Sequence, residues 1–501
     1  MTHQPGFEDR VLGVLFVRDP EKIRPLREFL RETRPDRILP PGELSSYSNY
    51  GVALAGAIVE HETGRAWQDA IDDDILEPLG MTRTTGREPH PPHDALPAPM
   101  PGALEALLSR GYSVTGVSPQ AQPFEHLAQI APAGSMSSTA HDMARYMLML
   151  LDDGVLDGAR IFGAEAARAF RTPMTSLPPE VGSWNGGFAG GPAPGGFRSY
   201  GHDGATLTFF SSMAVLPELD LGLFVSTNTA SGAALSSALA FMVVQHFYAA
   251  PVTPLAGRPE LRAEMAAYAG PYRPSRRRHG GLEGFVTRLQ ALPLAVSPDG
   301  YLTLVLPNAP LRFVPTGERD RFRRADGPGS IVFERRDDRL TLAMVALAAE
   351  RLGPLESPSA LIFTVALAAL AAIAVVVGRL ARVGRKLPGT RAQARAGRLQ
   401  VGTSALWLAS FASLAVAAVG AASDPSPLIY DWPTPSILAF STLALLASLG
   451  TVGLLALLPA VWTGAGGWSR WRNGRFTLAA VLFAACAALL LTSGALQPWN
   501  P

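Results

Sequence analysis

Lysine is almost absent from this 501-residue chain, which contains only Lys22 and Lys386. Any catalytic element that needs a lysine at a fixed spacing from its nucleophile can therefore be searched for exhaustively. Cysteine occurs once, as Cys486 in an apolar run, so an internal disulfide is excluded and thiol catalysis is disfavoured. The motifs Gly-x-Ser-x-Gly, His-Glu-x-x-His and Gly-x-x-x-x-Gly-Lys are also missing, which removes familiar routes to hydrolysis and phosphate chemistry.

Charge is balanced over the whole chain but uneven along it. The formal net charge is +1, which points to no nucleic-acid partner. From Pro358 to the end there are ten Lys or Arg residues and two acids, Asp424 and Asp431, so that 33 basic and 40 acidic residues precede Pro358. The first part of the chain therefore has the composition of a mildly acidic soluble protein, and the second part is of a different class.

The stretch Ser45–Gly51 places a phenol and a carboxamide, Tyr47 and Asn49, just before an apolar helical run from Val52 to Glu60 that ends at Gly64. A phenol can carry a proton if a nearby cation lowers its pKa. A carboxamide can donate and accept hydrogen bonds at once, as an amide substrate requires. A Tyr-x-Asn tripeptide alone is weak evidence, because Asn also favours turns and helix caps.

The patterns around this stretch predict a mixture of helices, turns and strands up to about residue 250. Apolar spacing predicts helices, a Ser/Thr cluster at 135–139 supplies an N-cap, and alternation around a turn at 217–220 predicts a β-hairpin. Residues 200–205 open the first strand of that hairpin, and the last helix would cover the sheet. The predicted elements are helices over 20–34, 52–60, 67–79, 142–151 and 233–247, a Gly-rich loop over 186–196 that is mobile or tightly turned, and strands over 206–216 and 221–227.

From about Tyr268 the sequence changes to short alternating strands separated by Gly, Pro and Asp turns. This pattern predicts a small β-barrel or meander. The clearest predicted strands cover residues 301–306, 311–314, 331–335 and 340–345.

His90 and His93 lie in a Pro- and His-rich stretch, residues 86–102, that is predicted to be a loop. Protein zinc sites use three or four protein ligands. No third ligand lies nearby in the sequence, so we predict no metal site, and no motif in the chain indicates a cofactor.

Four charge-free runs follow, each long enough to span a bilayer as a helix. Buried soluble helices are the alternative, but four in succession would need a very large apolar core. The loop 379–398 carries seven Lys or Arg and the loop 464–475 carries three Arg, whereas Asp424 and Asp431 lie between the second and third runs. Because basic loops favour the cytoplasmic side, everything before Ala360 is predicted to lie outside the cytoplasmic membrane. The predicted spans cover about 360–378, 401–422, 436–463 and 476–496.

In their order and spacing, these segments resemble the serine β-lactamase and penicillin-binding-protein superfamily, and most of all class C β-lactamases and related esterases and D-amino-acid peptidases. The resemblance rests on Tyr-x-Asn at 47–49, Pro-Leu-Gly-Met at 78–81, the Pro-Ala-Gly to Asp-x-Ala segment at 132–144, and His-x-Gly at 202–204. It implies an α+β, β-lactamase-like domain, an antiparallel sheet flanked by helices and incomplete at its N-terminus. The implied domains are this β-lactamase-like domain over 1–250, a small β-rich lipocalin-like domain over 251–350 and a membrane domain of four transmembrane helices over 351–501.

The chemistry that the resemblance implies is acyl transfer through a serine acyl-enzyme, on amide or ester substrates. Tyr47 would be the proton shuttle, Asn49 would bind the substrate amide, and His202 would line the pocket and bias its electrostatics. Gly204 would let the substrate lie against the strand. The backbone N–H of Ala205 would be one donor of the oxyanion hole, a contribution of ~3 kcal/mol.

The Ser-x-x-Lys element, which in the family supplies the nucleophile and a lysine that tunes the tyrosine, is missing. Neither Lys22 nor Lys386 has a serine three positions before it. An export signal, with a basic segment followed by an apolar one, is also missing from the start. In the family both features precede the segment that Thr2–Gly6 resembles, so we expect Met1 to be an internal start. Stop codons upstream, with no in-frame Ser-x-x-Lys, would contradict this expectation.

Three hypotheses remain open from the sequence. The first is a membrane-anchored serine hydrolase that acts outside on peptides, esters or cell-wall stem peptides and is inactive as this chain stands. The second is a catalytically dead relative that binds cell-wall peptides or related ligands between Tyr47, Asn49 and His202. The third, a transport or signalling protein, is disfavoured because the spans hold no ionisable residue other than Cys486. The expected partners are a small-molecule or peptide substrate and the membrane, with no nucleic acid.

Overall fold

The computed structural model describes residues 2–115, 118–175, 177–306, 310–336, 338–385, 389–463 and 467–500. Met1 and Lys386, which enter two of the arguments above, lie outside the described residues. The chain divides into two units. The first consists of Met1–Arg276 and Leu292–Arg351, and the second of Arg277–Ala291 and Leu352–Pro501.

The helices of the first unit are α1 (Leu26–Glu32), α2 (Asn49–Thr63), α3 (Trp67–Ile71), α4 (Gly102–Glu105), α5 (Ala140–Leu151), α6 (Ala164–Arg171), α7 (Ala233–Phe247) and α8 (Arg262–Met265). Caps in the sequence fix the ends of two of these helices, α2 and α5. Ser48 caps α2 by accepting a hydrogen bond from the Gly51 N–H at 3.0 Å, and α2 ends at Gly64 in the left-handed conformation. Thr139 caps α5 through the Asp142 N–H. Both helices confirm the predicted ones.

The strands before the barrel are β1 (Tyr112–Thr115), β2 (Ser118–Ala121), β3 (Val155–Leu156), β4 (Ala159–Arg160), β5 (Ser183–Asn185), β6 (Phe188–Pro192), β7 (Arg198–Ala205), β8 (Phe210–Leu216) and β9 (Leu221–Thr227). The central sheet has the order β5-β6-β7-β8-β9, and all of its neighbours are antiparallel. Alternate residues of β8 point to opposite faces. Met213 and Val215 pack in a cluster with α5, whereas Ala214 and Leu216 pack with α7. The sheet therefore lies between α5 and α7, and α7 is the predicted cover.

Two predictions for this sheet are corrected by the structure. The strand predicted over 206–216 begins only at Phe210, because Thr206 and Phe209 close a turn. In that turn the Thr206 N–H donates to the Phe209 carbonyl at 2.9 Å, and Thr206 Oγ1 accepts from the Phe209 N–H at 3.1 Å. The Gly-rich segment 186–196 contains β6, so it is a loop only at its two ends, where the glycines take positive φ angles.

The remaining strands are β10 (Gly270–Pro274), β11 (Leu292–Val296), β12 (Leu302–Val305), β13 (Pro310–Pro315), β14 (Arg321–Arg324), β15 (Ser330–Arg336), β16 (Arg339–Met344) and β17 (Leu347–Arg351). They form a closed barrel in chain order, in which β10 pairs with β17. Inward side chains such as Tyr272, Phe313 and Ile331 fill the interior, so the barrel has a packed core. The predicted barrel is confirmed.

The second unit is built from α9 (Gly281–Arg288), α10 (Pro358–Leu380), α11 (Arg391–Ser423), α12 (Ser426–Tyr430), α13 (Pro435–Ala456), α14 (Leu458–Trp462) and α15 (Arg470–Thr492). The long helices pack through small residues with no exposed area, such as Ala372, Ala396, Ala444 and Ala480. Buried polar side chains join neighbouring helices. For example, the Trp407 Nε1–H donates to Thr451 Oγ1 at 3.3 Å.

Two of the predicted spans have different bounds in the structure. The second span begins at Arg391, ten positions earlier than predicted, because Thr390 and Gln393 form a capping box there. The third span, predicted over 436–463, is divided at Leu457 into α13 and α14, and Pro459 lies in the first turn of α14, where a missing N–H is tolerated.

The surface of the second unit is apolar along its helices. Large side chains such as Leu370, Val419, Leu449 and Leu478 are each about 60% or more exposed. Among the described residues, five helices are long and apolar enough to cross a membrane by length and composition: Pro358–Leu380, Arg391–Ser423, Pro435–Ala456, Arg470–Thr492 and, in the first unit, Ala230–Phe247. The last one includes α7, which packs against the central sheet.

Candidate active site

Four aromatic rings meet where α2 begins. The rings of Tyr47 and His3 are stacked with their centroids 3.9 Å apart, and Trp184 lies edge-on to His3 at 4.3 Å. The His202 ring lies 6.0 Å from both Tyr47 and Trp184. The structure therefore brings together Tyr47 and His202, two of the residues singled out in the sequence, although 155 positions separate them.

These rings lie on separate elements of the fold. His3 is held against the Tyr47 loop because its carbonyl accepts from the Ser46 N–H at 2.8 Å and its Nδ1 accepts from the Ser48 N–H at 3.4 Å. Trp184 lies on β5, and its Nε1–H donates to Ser45 Oγ at 3.0 Å. His202 lies on β7 and follows Gly201, where a Cβ would come within 1.8 Å of the Met213 carbonyl oxygen. Only glycine allows β7 to approach β8 this closely.

The His3 imidazole is neutral at ordinary pH. Its side chain is buried, and burial lowers its pKa to about 3, with further lowering by His202 and Arg276. Because Nδ1 accepts the Ser48 N–H, the proton of the neutral ring is assigned to Nε2.

Tyr47 lies between opposing electrostatic effects. Burial raises the pKa of its phenol above the ordinary value of 10.0, the guanidinium of Arg276 lowers it, and the carboxyl group of Asp9 raises it. The Arg276 Cζ lies 4.4 Å from the centroid of the Tyr47 ring. At neutral pH the net result is a protonated phenol with a cation beside its ring.

Asn49 has a partner that the sequence analysis did not foresee. Its backbone N–H and its side-chain Nδ2 both donate to Asp9 Oδ1, at 3.3 and 3.4 Å. Asp9 is 2% exposed, and its Oδ2 accepts from Arg276 Nε at 2.8 Å. Burial raises the pKa of Asp9, while Arg276 and Asn49 act in the opposite direction. The predicted role of Asn49 toward a substrate amide therefore stays a prediction, and a substrate would share that carboxamide with Asp9.

Gly204 and Ala205 lie on the exposed end of β7. A Cβ built at Gly204 would find Ser211 Cβ as its nearest neighbour at 3.9 Å, so the protein itself leaves open space there. The roles of Gly204 and of the Ala205 N–H stay predictions.

Two of the three serines beside Tyr47 have hydroxyl groups with structural partners. Ser48 Oγ caps α2, and Ser45 Oγ accepts from Trp184. These two hydroxyl groups are engaged in a turn and a helix cap. Among the described residues, the buried Ser46 Oγ has no hydrogen-bond partner.

Sequence reasoning missed His3, Asp9, Trp184 and Arg276 as members of this site. His3 carried a signal, since the segment Thr2–Gly6 already resembled a family motif. Arg276 carried none, because it lies 267 positions from Asp9 in a different part of the fold.

The first part of the chain is similar to known proteins. The family model described as Beta-lactamase matches residues 1–243. Penicillin-binding protein 4 of Amycolatopsis lactamdurans is 31% identical over 198 residues, which cover 38% of this chain and 48% of that protein. Putative beta-lactamase-like 1 of Homo sapiens is 27% identical over 191 residues, covering 37% of this chain and 34% of that protein. The chain therefore spans less than half of the length of either relative.

Among solved structures, the crystal structure of SurE is 24% identical, with a TM-score of 0.44, and covers 70% of this chain and 77% of that one. The family model and the motifs in residues 47–49, 78–81, 132–144 and 202–204 cover the same part of the chain. The resemblance stated from the sequence is thereby confirmed. Residues 1–243 belong to the serine β-lactamase and penicillin-binding-protein superfamily.

Proposed function

We propose that this chain is a membrane-anchored member of its family whose Tyr47 cleft binds amide or ester acyl donors, penicillins among them. Acyl transfer of the serine-hydrolase type would need a Ser-x-x-Lys nucleophile, which this chain does not contain. The observation that carries the proposal is the 6.0 Å approach of the Tyr47 and His202 rings beside the open space at Gly204. Penicillin is chosen as the probe because a relative bears the name Penicillin-binding protein 4.

Each side chain then has a defined task. Asn49 binds the substrate amide, and His202 sets the charge of the cleft wall. Tyr47 would exchange a proton with an attacking serine hydroxyl, which this chain does not supply in a Ser-x-x-Lys element. The substrate lies over Gly204, and the Ala205 N–H faces the developing oxyanion. His3 and Trp184 exclude water from one side of the Tyr47 ring, since both are buried against it.

A second candidate function is a binding module that never forms a covalent intermediate. One observation favours it: neither lysine of the chain follows a serine at the Ser-x-x-Lys spacing. Tyr47, Asn49 and His202 would then hold a cell-wall peptide or a related ligand reversibly.

A fluorescent penicillin separates these functions. For the 501-residue chain in detergent, we expect saturable binding by fluorescence anisotropy, competition by unlabelled penicillin, and no label after denaturing electrophoresis. Absence of any competable binding would overturn the proposal. The same gel assay on the protein isolated from its native membranes decides between the two candidates, since a hydrolase keeps the label through denaturation and a binding module loses it.

The membrane part of the proposal rests on the apolar helices of the second unit and on the basic loops beside them. With the arginines of 379–398 and 464–475 on the cytoplasmic side, the first unit lies outside the cytoplasmic membrane. The test uses single cysteines in a Cys486→Ala background. An impermeant maleimide added to spheroplasts should label Glu43→Cys and spare Arg385→Cys, both of which are exposed positions. The opposite pattern would reverse the orientation.

A further inference from the structure

Arg276 comes from the barrel and reaches the Tyr47 cleft. It lies two positions after the end of β10, and the residue before it is fixed on two sides. The Ser275 N–H donates to the Ala348 carbonyl at 2.8 Å, and Ser275 Oγ donates to the Ser45 carbonyl at 3.1 Å. The end of β10 is thus tied both to β17 and to the loop that carries Tyr47.

The guanidinium of Arg276 makes two contacts in the cleft. Its Cζ lies 4.4 Å from the centroid of the Tyr47 ring, within the range of an attractive cation–π interaction. Its Nε donates to Asp9 Oδ2 at 2.8 Å, and Asp9 Oδ1 in turn accepts from both the backbone and the side chain of Asn49. Arg276 therefore contacts the Tyr47 ring directly and is linked to the Asn49 carboxamide through Asp9.

We propose that Arg276 is a positioning residue of the Tyr47 cleft: the barrel supplies a cation that lies against the Tyr47 ring, orients it and, through Asp9, orients the Asn49 carboxamide. An arginine suits this task because it stays protonated and its planar fork holds a carboxylate and an aromatic face together. The consequence for acyl transfer rests on the function proposed above, whereas the contacts themselves need no substrate.

The charges around the phenol determine the direction in which its pKa changes when Arg276 is replaced. The Tyr47 ring is faced by Arg276, by Asp9, by the buried neutral His3 and by His202. Arg276 lowers the pKa of Tyr47 and Asp9 raises it. The Arg276 side chain is 44% exposed, so water screens part of its charge. Removal of the cation should therefore raise the pKa of Tyr47.

The test is a titration of Tyr47 in the full chain in detergent micelles, labelled with ¹³C at the tyrosine Cζ. The Tyr47 resonance is the one lost in Tyr47→Phe. Arg276→Gln should move its titration midpoint upward, and Asp9→Asn should move it downward. Arg276→Lys should restore most of the shift. The matched control is Arg321→Gln, which removes another barrel arginine, one paired with Glu180, and should leave the midpoint unchanged.

Arg276→Gln leaves the buried Asp9 without its cation and can destabilise the fold. The double variant Arg276→Gln/Asp9→Asn avoids that orphaned carboxylate, and its comparison with Asp9→Asn alone should show the same upward shift. A Tyr47 midpoint that does not move in either comparison would overturn the proposal. Because no ligand is used, this outcome is independent of penicillin binding: a missing shift with intact binding rejects only the role of Arg276, and a clear shift without binding rejects only the proposed function.

Discussion

The two units of this chain bury polar groups in different ways. In the first unit, His3, Asp9 and Asn49 are buried around one phenol, and they include ionisable groups whose pKa values are shifted by burial. In the long helices of the second unit, buried polar side chains such as Ser410 and Ser441 are neutral and bond to backbone carbonyls of other segments, at 3.0 and 2.6 Å. The buried charged side chains of that unit, Arg278, Glu283 and Arg288, lie in or beside α9. The first arrangement can move protons, whereas the second only joins helices.

The surfaces of the two units also differ in polarity. Exposed leucines and valines cover the long helices of the second unit, while the exposed elements of the first unit carry many ion pairs, such as those of Arg65 with Asp73 and Asp74. Water solvates charged surfaces well, and a bilayer solvates apolar ones. The apolar helix surfaces suggest membrane association of the second unit.

The largest effect is expected from the same substitution made in both units. Leu370, near the middle of α10, and Leu107 in the first unit are 62% and 64% exposed. Leu370→Arg should disfavour membrane insertion by ~3 kcal/mol, because a charge enters the bilayer core. Leu107→Arg should change stability by less than ~0.5 kcal/mol. Glycosylation-based insertion assays measure the first and thermal unfolding the second. Equal tolerance at both sites would remove the distinction between the units.

A second effect concerns the buried histidine of the first unit. His3 has a pKa of about 3 in the folded chain against an ordinary value of 6.5, so between these values the unfolded chain binds more protons. Stability should therefore fall as the pH drops below 6.5, by about 2 kcal/mol at pH 5. The free energy of unfolding is measured for wild type and His3→Phe at pH 7 and pH 5. The change between the two pH values should be larger in wild type, and the difference between the two proteins is the contribution of His3.

The comparison with His3→Phe is needed because another group titrates in the opposite sense. Burial raises the pKa of Glu88 to about 7 from 4.5, so its contribution is full below pH 4.5 and is lost as the pH rises through 7. Glu88 is present in both proteins and cancels in the difference. An identical pH dependence of both proteins would show that His3 is not held neutral in the fold.

A smaller effect compares one tryptophan hydrogen bond in each unit. Ser45→Ala removes the acceptor of the Trp184 Nε1–H, and an unpaired buried donor should cost about 1.5 kcal/mol. Thr451→Val removes the acceptor of the Trp407 Nε1–H, and hydrogen bonds between membrane helices average ~0.6 kcal/mol. Chemical unfolding in detergent should rank the two losses in this order. The reverse ranking would argue against a lipid environment for the second unit.

The sequence allows much of the local structure to be predicted, because its signals act over a few residues. Thr139 and Gly64 mark the ends of helices through caps that depend only on neighbouring backbone groups. The turn at Thr206–Phe209 was not predicted, since it holds neither Gly nor Pro and is closed by a threonine hydroxyl.

The candidate site was predictable only in part. Tyr47 and His202 lie in recognisable motifs, and their approach follows from the resemblance to a family. Arg276 and Asp9 meet through tertiary packing between the barrel and the N-terminal segment, which no local pattern encodes. The partner of Asn49 could not be foreseen for the same reason, because the carboxylate that binds its side chain lies 40 positions away.

The most direct test of the Tyr47 cleft as an acyl-donor site is the affinity of a fluorescent penicillin for Gly204→Val. The structure leaves this position open, and valine suits a strand, so the variant should fold with an unchanged melting temperature. If the ligand lies against β7, the isopropyl group that valine adds at position 204 should weaken binding at least tenfold, or ~1.4 kcal/mol. Unchanged affinity in a folded Gly204→Val protein would contradict the placement of the substrate at this strand and, with it, the proposed cleft.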